Sequence, residues 1–225
     1  MSDDELTQKI YGLATKYYFH EQVENNGEYR KAVERGREWA HNHIFNSFTI
    51  FSNQSDEAYI RDFRAMFSQF YGSSAIRRFP RDNVRVLEIR QDFLRGVKYL
   101  LESSDDLNTK IDNLADNHGK YKVRDLGLPV WSYLANAKYP DVPIINTRVQ
   151  RFFSDIGVDI GKTVAEQVKT VREHYDRWAE RCSRNNLPID YIDFNHMVWF
   201  SQTKIDGQQY MHAQFGLPIR DPLSD

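Results

Sequence analysis

The chain has one cysteine, Cys182, in 225 residues. A single thiol excludes a disulfide framework within the chain, a four-cysteine zinc site and a four-cysteine iron–sulfur cluster. Long apolar runs are also missing. Nothing approaches the ~18 uninterrupted apolar residues of a membrane-spanning helix, and 28% of the residues are charged. The first residues, Met1-Ser2-Asp3-Asp4-Glu5, are acidic where a signal peptide is basic, so a cytoplasmic protein with no membrane partner is expected. No Gly-rich nucleotide-binding loop, internal repeat or low-complexity tract occurs. Neither sign of charge dominates: 30 basic and 32 acidic residues leave a net charge of −2, an average that argues against nucleic acid. The chain does have enough apolar sequence for a core. At this length roughly 70% of the unfolded surface can be buried without a disulfide or a metal.

The pattern that is present is helical. Tyr59, Ile60, Phe63, Met66, Phe67 and Phe70 form one apolar stripe behind Asp56, a candidate N-cap, with Gly72 closing it. Val86, Leu87, Leu94, Val97, Leu100 and Leu101 make a second, and Leu107, Ile111 and Leu114 a third that stops before Gly119. Val164, Val168, Val171, Tyr175, Trp178 and Cys182 follow the spacing of a long amphipathic helix. Residues 4–24 and 27–44 read as two N-terminal helices, and the run from Asp190 to Asp193 opens a late one. No alternating strand pattern is found, so the predicted class is all-α. Residues 72–83 read as a linker, and the stretch from Gly207 onward as a partly extended tail bounded by Pro218 and Pro222.

Several motif-like groups have bland explanations. His41-Asn42-His43 carries the letters of a metal-dependent nuclease, but positions i and i+2 of a helix do not share a face. Residues 86–90 resemble a restriction-nuclease strand but keep helical spacing to Leu101. His20, His118, His174, His196 and His212 make no His-x3-His pair, so no zinc site is expected. Cys182 ends an apolar stripe and reads as packing. Asp193 reads as a cap or an ion-pair partner. Tyr17, Tyr18, Trp39, Phe79, Tyr121 and Tyr210 fall outside the clean stripes and are the aromatic candidates for a ligand pocket.

The balanced total conceals clusters. Residues 77–98 carry seven basic and three acidic side chains, net +4, and residues 120–151 carry six and two, again net +4. Between them, residues 102–116 carry five acids and one lysine, net −4. Solvated helix faces explain any one run, but two basic blocks in one chain point to an anionic ligand.

The second block contains the segment with the most chemical content, residues 105–156. It reads as helix, turn, helix, Pro-bounded loop, helix. The turn is Val123-Arg124-Asp125-Leu126-Gly127-Leu128-Pro129. There Gly127 permits positive φ or close approach of a ligand, and Pro129 suits a first helical turn, so a helix is expected from about Val130. A helix N-terminus beside Lys120, Lys122 and Arg124 is suited to a phosphate. The loop then runs Pro140-Asp141-Val142-Pro143-Ile144-Ile145-Asn146-Thr147-Arg148-Val149. Asn146 is a good N-cap for a helix bearing Val149, Phe152, Phe153 and Ile156.

The Leu-Gly-Leu-Pro turn, a helix with the small Ser132 on its inner face, and Pro-Ile-Ile-Asn-Thr-Arg-Val together resemble the helix-hairpin-helix DNA glycosylase superfamily over about 35 residues. The resemblance implies a two-lobed all-α fold forming a single unit over 1–225. Residues 105–156 would present the hairpin and the catalytic loop. Residues 1–104 and 157–204 would build the helical lobe, and 205–225 the tail. It implies a monomer acting on DNA, with Lys120, Lys122 and the Gly127 backbone on one phosphate and Arg148 and Arg151 near the lesion. In the family an aspartate opens the helix after the hairpin and faces the scissile sugar. Asn146 occupies that position here, and Asp141 is the nearest carboxylate that could supply charge. No lysine stands early in the second hairpin helix, where Val130 and Trp131 fall, so Schiff-base chemistry is not expected. The implied activity is therefore monofunctional hydrolysis of the N-glycosidic bond of a flipped, altered base, including hypermodified phage cytosine in defence. No cofactor is expected apart from a monovalent cation that the hairpin could hold. The alternatives are a non-catalytic DNA-binding helix-hairpin-helix module and a helical interaction protein without a nucleic-acid role.

Overall fold

Helix signals in the sequence become helices wherever their apolar stripe finds a partner. In the computed structural model, residues 1–69 and 82–219 are described. Among them are twelve α-helices, two π-helical turns and no strand. The helices are α1 (Asp3–Phe19), α2 (Glu28–Ala40), α3 (Phe48–Ser52), α4 (Asp56–Gln69), α5 (Asn83–Glu88), α6 (Arg90–Glu102), α7 (Leu107–Ala115), α8 (Leu128–Lys138), α9 (Thr147–Asp155), α10 (Val164–Arg184), α11 (Tyr191–Thr203) and α12 (Ile205–Phe215). The predicted N-terminal helices are continued by the π-helical turns His20–Glu24 and His41–Phe45. Residues 72–81 of the expected linker, Phe70 and Gly72, Phe79, Arg77, Arg78 and Arg81 of the first basic block, and Pro222 lie outside the described residues. Among the described residues no helix is long and apolar enough to cross a membrane.

Two compact units divide the chain. The first comprises Met1–Arg30, Asp141–Lys162 and Glu166–Asp225. Within it α1 packs on α11 and α12, and α9 packs on α11. The α10 stripe buries Val168, Val171, Tyr175, Trp178 and Cys182, and each of the large apolar side chains contributes roughly 1.5–3 kcal/mol on leaving water. Phe153 stacks on Trp178 with centroids 5.5 Å apart, joining α9 to α10. The capping box at α11 forms as its Asp-x-x-Asp pattern suggests. Asp190 Oδ1 accepts from the amides of Ile192 and Asp193, and the Asp190 amide donates to Asp193 Oδ2.

The reading of a partly extended tail from Gly207 onward is corrected for residues 207–215, which are helical and belong to α12. The helix can begin directly after α11 because Gly207 has no side chain. A Cβ there would stand 2.4 Å from the Phe200 carbonyl oxygen. Gly216, at φ 70°, then ends the helix in the left-handed conformation.

The second unit comprises Lys31–Pro140 and Thr163–Ala165. Helices α4 to α8 pack in sequence, each on the next, and the turn His41–Phe45 meets α3 and α8. A run of rings forms the core: Tyr59 on Phe63, Phe63 edge-on to Phe93 at 5.0 Å, and Phe93 on Trp131 at 5.7 Å. The α4 cap is Ser55, whose Oγ accepts from the Ala58 amide. Asp56, the expected cap, lies inside the first turn and pairs with Arg90. The second predicted stripe breaks at Ile89 into α5 and α6.

Candidate functional site

The residues expected to act together divide between the units: Lys120, Lys122 and Gly127 belong to the second, Asp141, Asn146, Arg148 and Arg151 to the first. In the second unit, helix α8 starts at Leu128, two residues before the expected Val130, with Pro129 in its first turn. Gly127 is its N-cap in an extended conformation, φ −106°. Of the two roles open to Gly127, positive φ is not used there; the turn's positive φ falls on Asp125, at 67°. There a carboxylate tolerates the left-handed region and pairs with Arg85. The Gly127 carbonyl accepts from the amides of Val130 and Trp131. The three cations of the turn differ in what they do. Lys122 Nζ donates to the Ala115 carbonyl at 2.9 Å, so it closes the end of α7, and partial burial lowers its pKa. Lys120 is exposed, its ammonium 5.3 Å from the Tyr121 ring, and Arg124 is exposed. Tyr121 itself stacks on Tyr99 at 4.0 Å.

In the first unit, the run from Val142 to Ile145 is buried and delivers Asn146 to the start of α9. Asn146 Oδ1 accepts from both the Arg148 and the Val149 amides, at 3.0 and 3.1 Å. The oxygen is thereby committed to capping. The Nδ2 group, a donor, has no partner among the described residues. Where the family resemblance leads one to look for a carboxylate oxygen, this chain presents N–H. Asp141 does not replace it: its carboxylate is exposed and paired with Arg172. Arg148 follows in the first turn of α9. Its backbone carbonyl accepts from Gln202 Nε2, while its Nη1 is buried without a hydrogen-bond partner. Arg151 is half-buried on the same helix.

The electrostatic feature that the sequence did not disclose also lies in the first unit. Glu21, Asp193, His196 and Tyr17 are all buried and converge from α1, the turn His20–Glu24 and α11. Tyr17 Oη donates to Asp193 Oδ1 at 3.3 Å, and Arg30 Nη1 donates to Asp193 Oδ2 at 2.7 Å. His196 Nδ1 is 3.3 Å from Tyr17 Oη. Since the phenol proton is given to Asp193, the hydrogen-bond accounting assigns the histidine proton to Nδ1. Glu21 Oε1 accepts from the Tyr29 amide, and Oε2, 3.7 Å from His196 Nδ1, has no hydrogen-bond partner. The imidazole is held between the rings of Tyr29, at 3.5 Å, and Trp199, at 4.7 Å. Burial, and then the neighbouring Asp190, push Asp193 up to about 6. Burial also pushes His196 down to about 3, with His20 and Lys204 adding to the effect. Only the Asp-x-x-Asp spacing of this cluster shows in the sequence, because the partners lie more than 160 positions apart.

The other aromatic candidates are mostly occupied. Tyr17 is in the cluster, Trp39 stacks on His43 at 4.7 Å, and Tyr210 Oη donates to the Lys9 carbonyl. Tyr18 remains half-buried with neither its ring nor its hydroxyl partnered among the described residues. Among the described residues no group of three or more His, Cys, Asp or Glu side chains could hold a metal ion. No protein-family model, curated protein or solved structure matches the chain.

Proposed function

We propose that this chain is a DNA-binding protein of helix-hairpin-helix type, acting as a cytoplasmic monomer on the phosphate backbone. In this reading α7, the turn before α8 and α8 form the hairpin, and Lys120, Lys122 and the Gly127 backbone meet one phosphate. Arg148 and Arg151 meet the strand from α9. The observation that carries the reading is Arg148 Nη1, a buried guanidinium nitrogen without a partner at a helix N-terminus. Nη1 itself is closed to solvent, so an anion would meet the accessible part of the half-buried Arg148 and offset the charge left unpaired behind it; Asn146 Nδ2 and the α9 dipole act in the same direction.

A second reading is a monofunctional glycosylase that hydrolyses the N-glycosidic bond of a flipped modified base, such as a hypermodified phage cytosine. The position of Asn146 as the cap of the helix after the hairpin favours it. With Oδ1 committed to the amides, however, the side chain has a donor and no charge to stabilise an oxocarbenium-like sugar, and Asp141 is neutralised by Arg172. The geometry thus supports binding better than hydrolysis.

One experiment separates the readings. A 20-base-pair duplex is titrated at two salt concentrations with wild type and Arg148→Ala. Retardation that weakens with salt, with the slope reduced by about 1 in the variant, is expected. No retardation at the lower salt overturns the proposal. Duplexes carrying modified cytosines are then incubated with wild type and Asn146→Asp and treated with alkali. Strand breaks with wild type establish the glycosylase, and their absence with both proteins removes it.

A further inference from the structure

The first unit also holds an open cavity of about 750 Å³ between the end of α1 and the α10–α11 connection. Its polar lining comes from Tyr18, Gln22, Arg30, Ser183, Asn186 and Asp190. Arg30 and Asp190 pair with each other at 2.6 Å, and Arg30 is held from behind by Asp193 at 2.7 Å. The pair cancels in charge, and the guanidinium already has two carboxylates, so the cavity is poorly suited to a phosphate or a carboxylate. The other four polar side chains are neutral; Gln22, Ser183 and Asn186 are exposed and Tyr18 is half-buried, and among the described residues their side-chain hydroxyl and amide groups bond to no protein group, so they face solvent and are open to a ligand. Leu187 and Ile189, both buried, add apolar surface. Asn186 sits at φ 56°, a left-handed position after α10 that Asn tolerates. A volume in this range suits a small molecule. The chemistry of the lining, one unstacked aromatic ring beside amides and a hydroxyl with no net charge, suits a flat, neutral, hydrogen-bonding ring.

We propose that this cavity takes a single unpaired nucleobase, of a free nucleoside or swung out of a DNA strand. Tyr18 stacks on it, and Gln22, Ser183 and Asn186 bond its edge. The inference rests on the DNA reading above for its choice of a base over other neutral rings. Stacking of a base on an aromatic side chain and bonding to its edge are the means by which proteins hold extruded bases.

The test uses the full chain. Saturation-transfer NMR is recorded with deoxycytidine, deoxyadenosine and methyl glucoside, for wild type, Tyr18→Ala and Asn186→Gly. Glycine keeps the left-handed backbone at 186 while removing the amide, and melting curves confirm that each variant folds. The base protons of the nucleosides are expected to receive saturation and the glucoside none, with affinity about fivefold or more weaker in Tyr18→Ala. A second arm follows a single-stranded oligonucleotide carrying 2-aminopurine, whose fluorescence change on binding is expected to disappear in Tyr18→Ala. The inference is overturned if the glucoside saturates as strongly as the nucleosides. It is equally overturned if neither arm responds to Tyr18→Ala. Nucleoside binding without duplex retardation upholds the cavity and removes the DNA reading. Duplex retardation that depends on Arg148, with neither arm of this test responding to Tyr18→Ala, does the reverse.

Discussion

Arg30 donates to Asp193 at 2.7 Å and so brings the only cation within hydrogen-bond distance of that buried carboxylate among the described residues. Even with this partner, burial raises Asp193 to about 6, while burial lowers His196, in the same cluster, to about 3. The two shifts act on stability in opposite directions. A carboxyl raised on folding contributes stability that is complete below its unfolded value, 3.8, and lost as pH rises through about 6. An imidazole lowered on folding contributes stability that is present above 6.5 and lost as pH falls toward 3. Between about pH 4 and 6 the slopes oppose each other. Asp193→Asn leaves the histidine term alone, so its stability falls more steeply than wild type on acidification. His196→Gln leaves the carboxyl term and gains relative to wild type. Each profile should diverge from wild type by about 2 kcal/mol across that window. Denaturant melts at four pH values measure it, and parallel profiles for all three proteins refute the argument.

Cys182 lies in the same core as Asp193, and burial, with the Asp193 charge adding, pushes its thiol up to about 11. Thiolate is the reactive form, so the folded chain should resist alkylation at pH 8. Iodoacetamide is expected to label the protein at the rate of unfolding, and roughly 100-fold faster or more in denaturant, where the thiol returns to its ordinary pKa and to solvent. Rapid labelling of the native chain would contradict the burial.

Periodicity made the helices legible because it reports which face leaves water, and it does so locally. The stripe ending at Cys182 therefore appears as α10, with five of its six expected residues buried and Val164, at the first position of the helix, half-buried. Boundaries and connections were less legible where they depend on what lies across the interface. Gly207 looks like a tail residue until the Phe200 carbonyl is seen beside it, and Ser55, not Asp56, turns out to cap α4. The capping role of Asn146 could be read from its place before an apolar helix. The commitment of its oxygen, which leaves only N–H to a ligand, could not. The cluster of Glu21, Asp193 and His196 was hidden for the same reason: no window of sequence contains two elements that meet in space.

Gly96 marks a close approach that a helix pattern leaves unexplained. A Cβ at this position would lie 2.6 Å from Trp131 Cη2 and 3.0 Å from Leu114 Cδ2, both on fully buried side chains. Alanine raises intrinsic helix propensity by about 1 kcal/mol, yet the core has no space for the methyl group. Gly96→Ala should therefore destabilise by about 1–3 kcal/mol net of that gain. A urea midpoint equal to or above wild type would show that the indole can shift.

Asn146 separates a structural role from a chemical one by substitution. Alanine removes both bonds from Oδ1 to the Arg148 and Val149 amides, and loss of such a cap costs about 1 kcal/mol. Aspartate keeps an oxygen in the same place and adds negative charge at the positive end of α9, which stabilises by about 0.5 kcal/mol. In thermal melts at pH 7, Asn146→Asp should thus be the most stable of the three proteins, wild type intermediate and Asn146→Ala the least stable. DNA affinity should follow a different order. A carboxylate beside Arg148 repels phosphate, so Asn146→Asp should bind duplex more weakly than wild type although it is more stable, and the deficit should shrink at high salt. Asn146→Ala, which removes the Nδ2 donor without adding a negative charge, should bind more weakly than wild type once folded but more tightly than Asn146→Asp. If affinity instead tracks stability across the three proteins, Asn146 acts on DNA through the fold alone, and no phosphate lies near its amide.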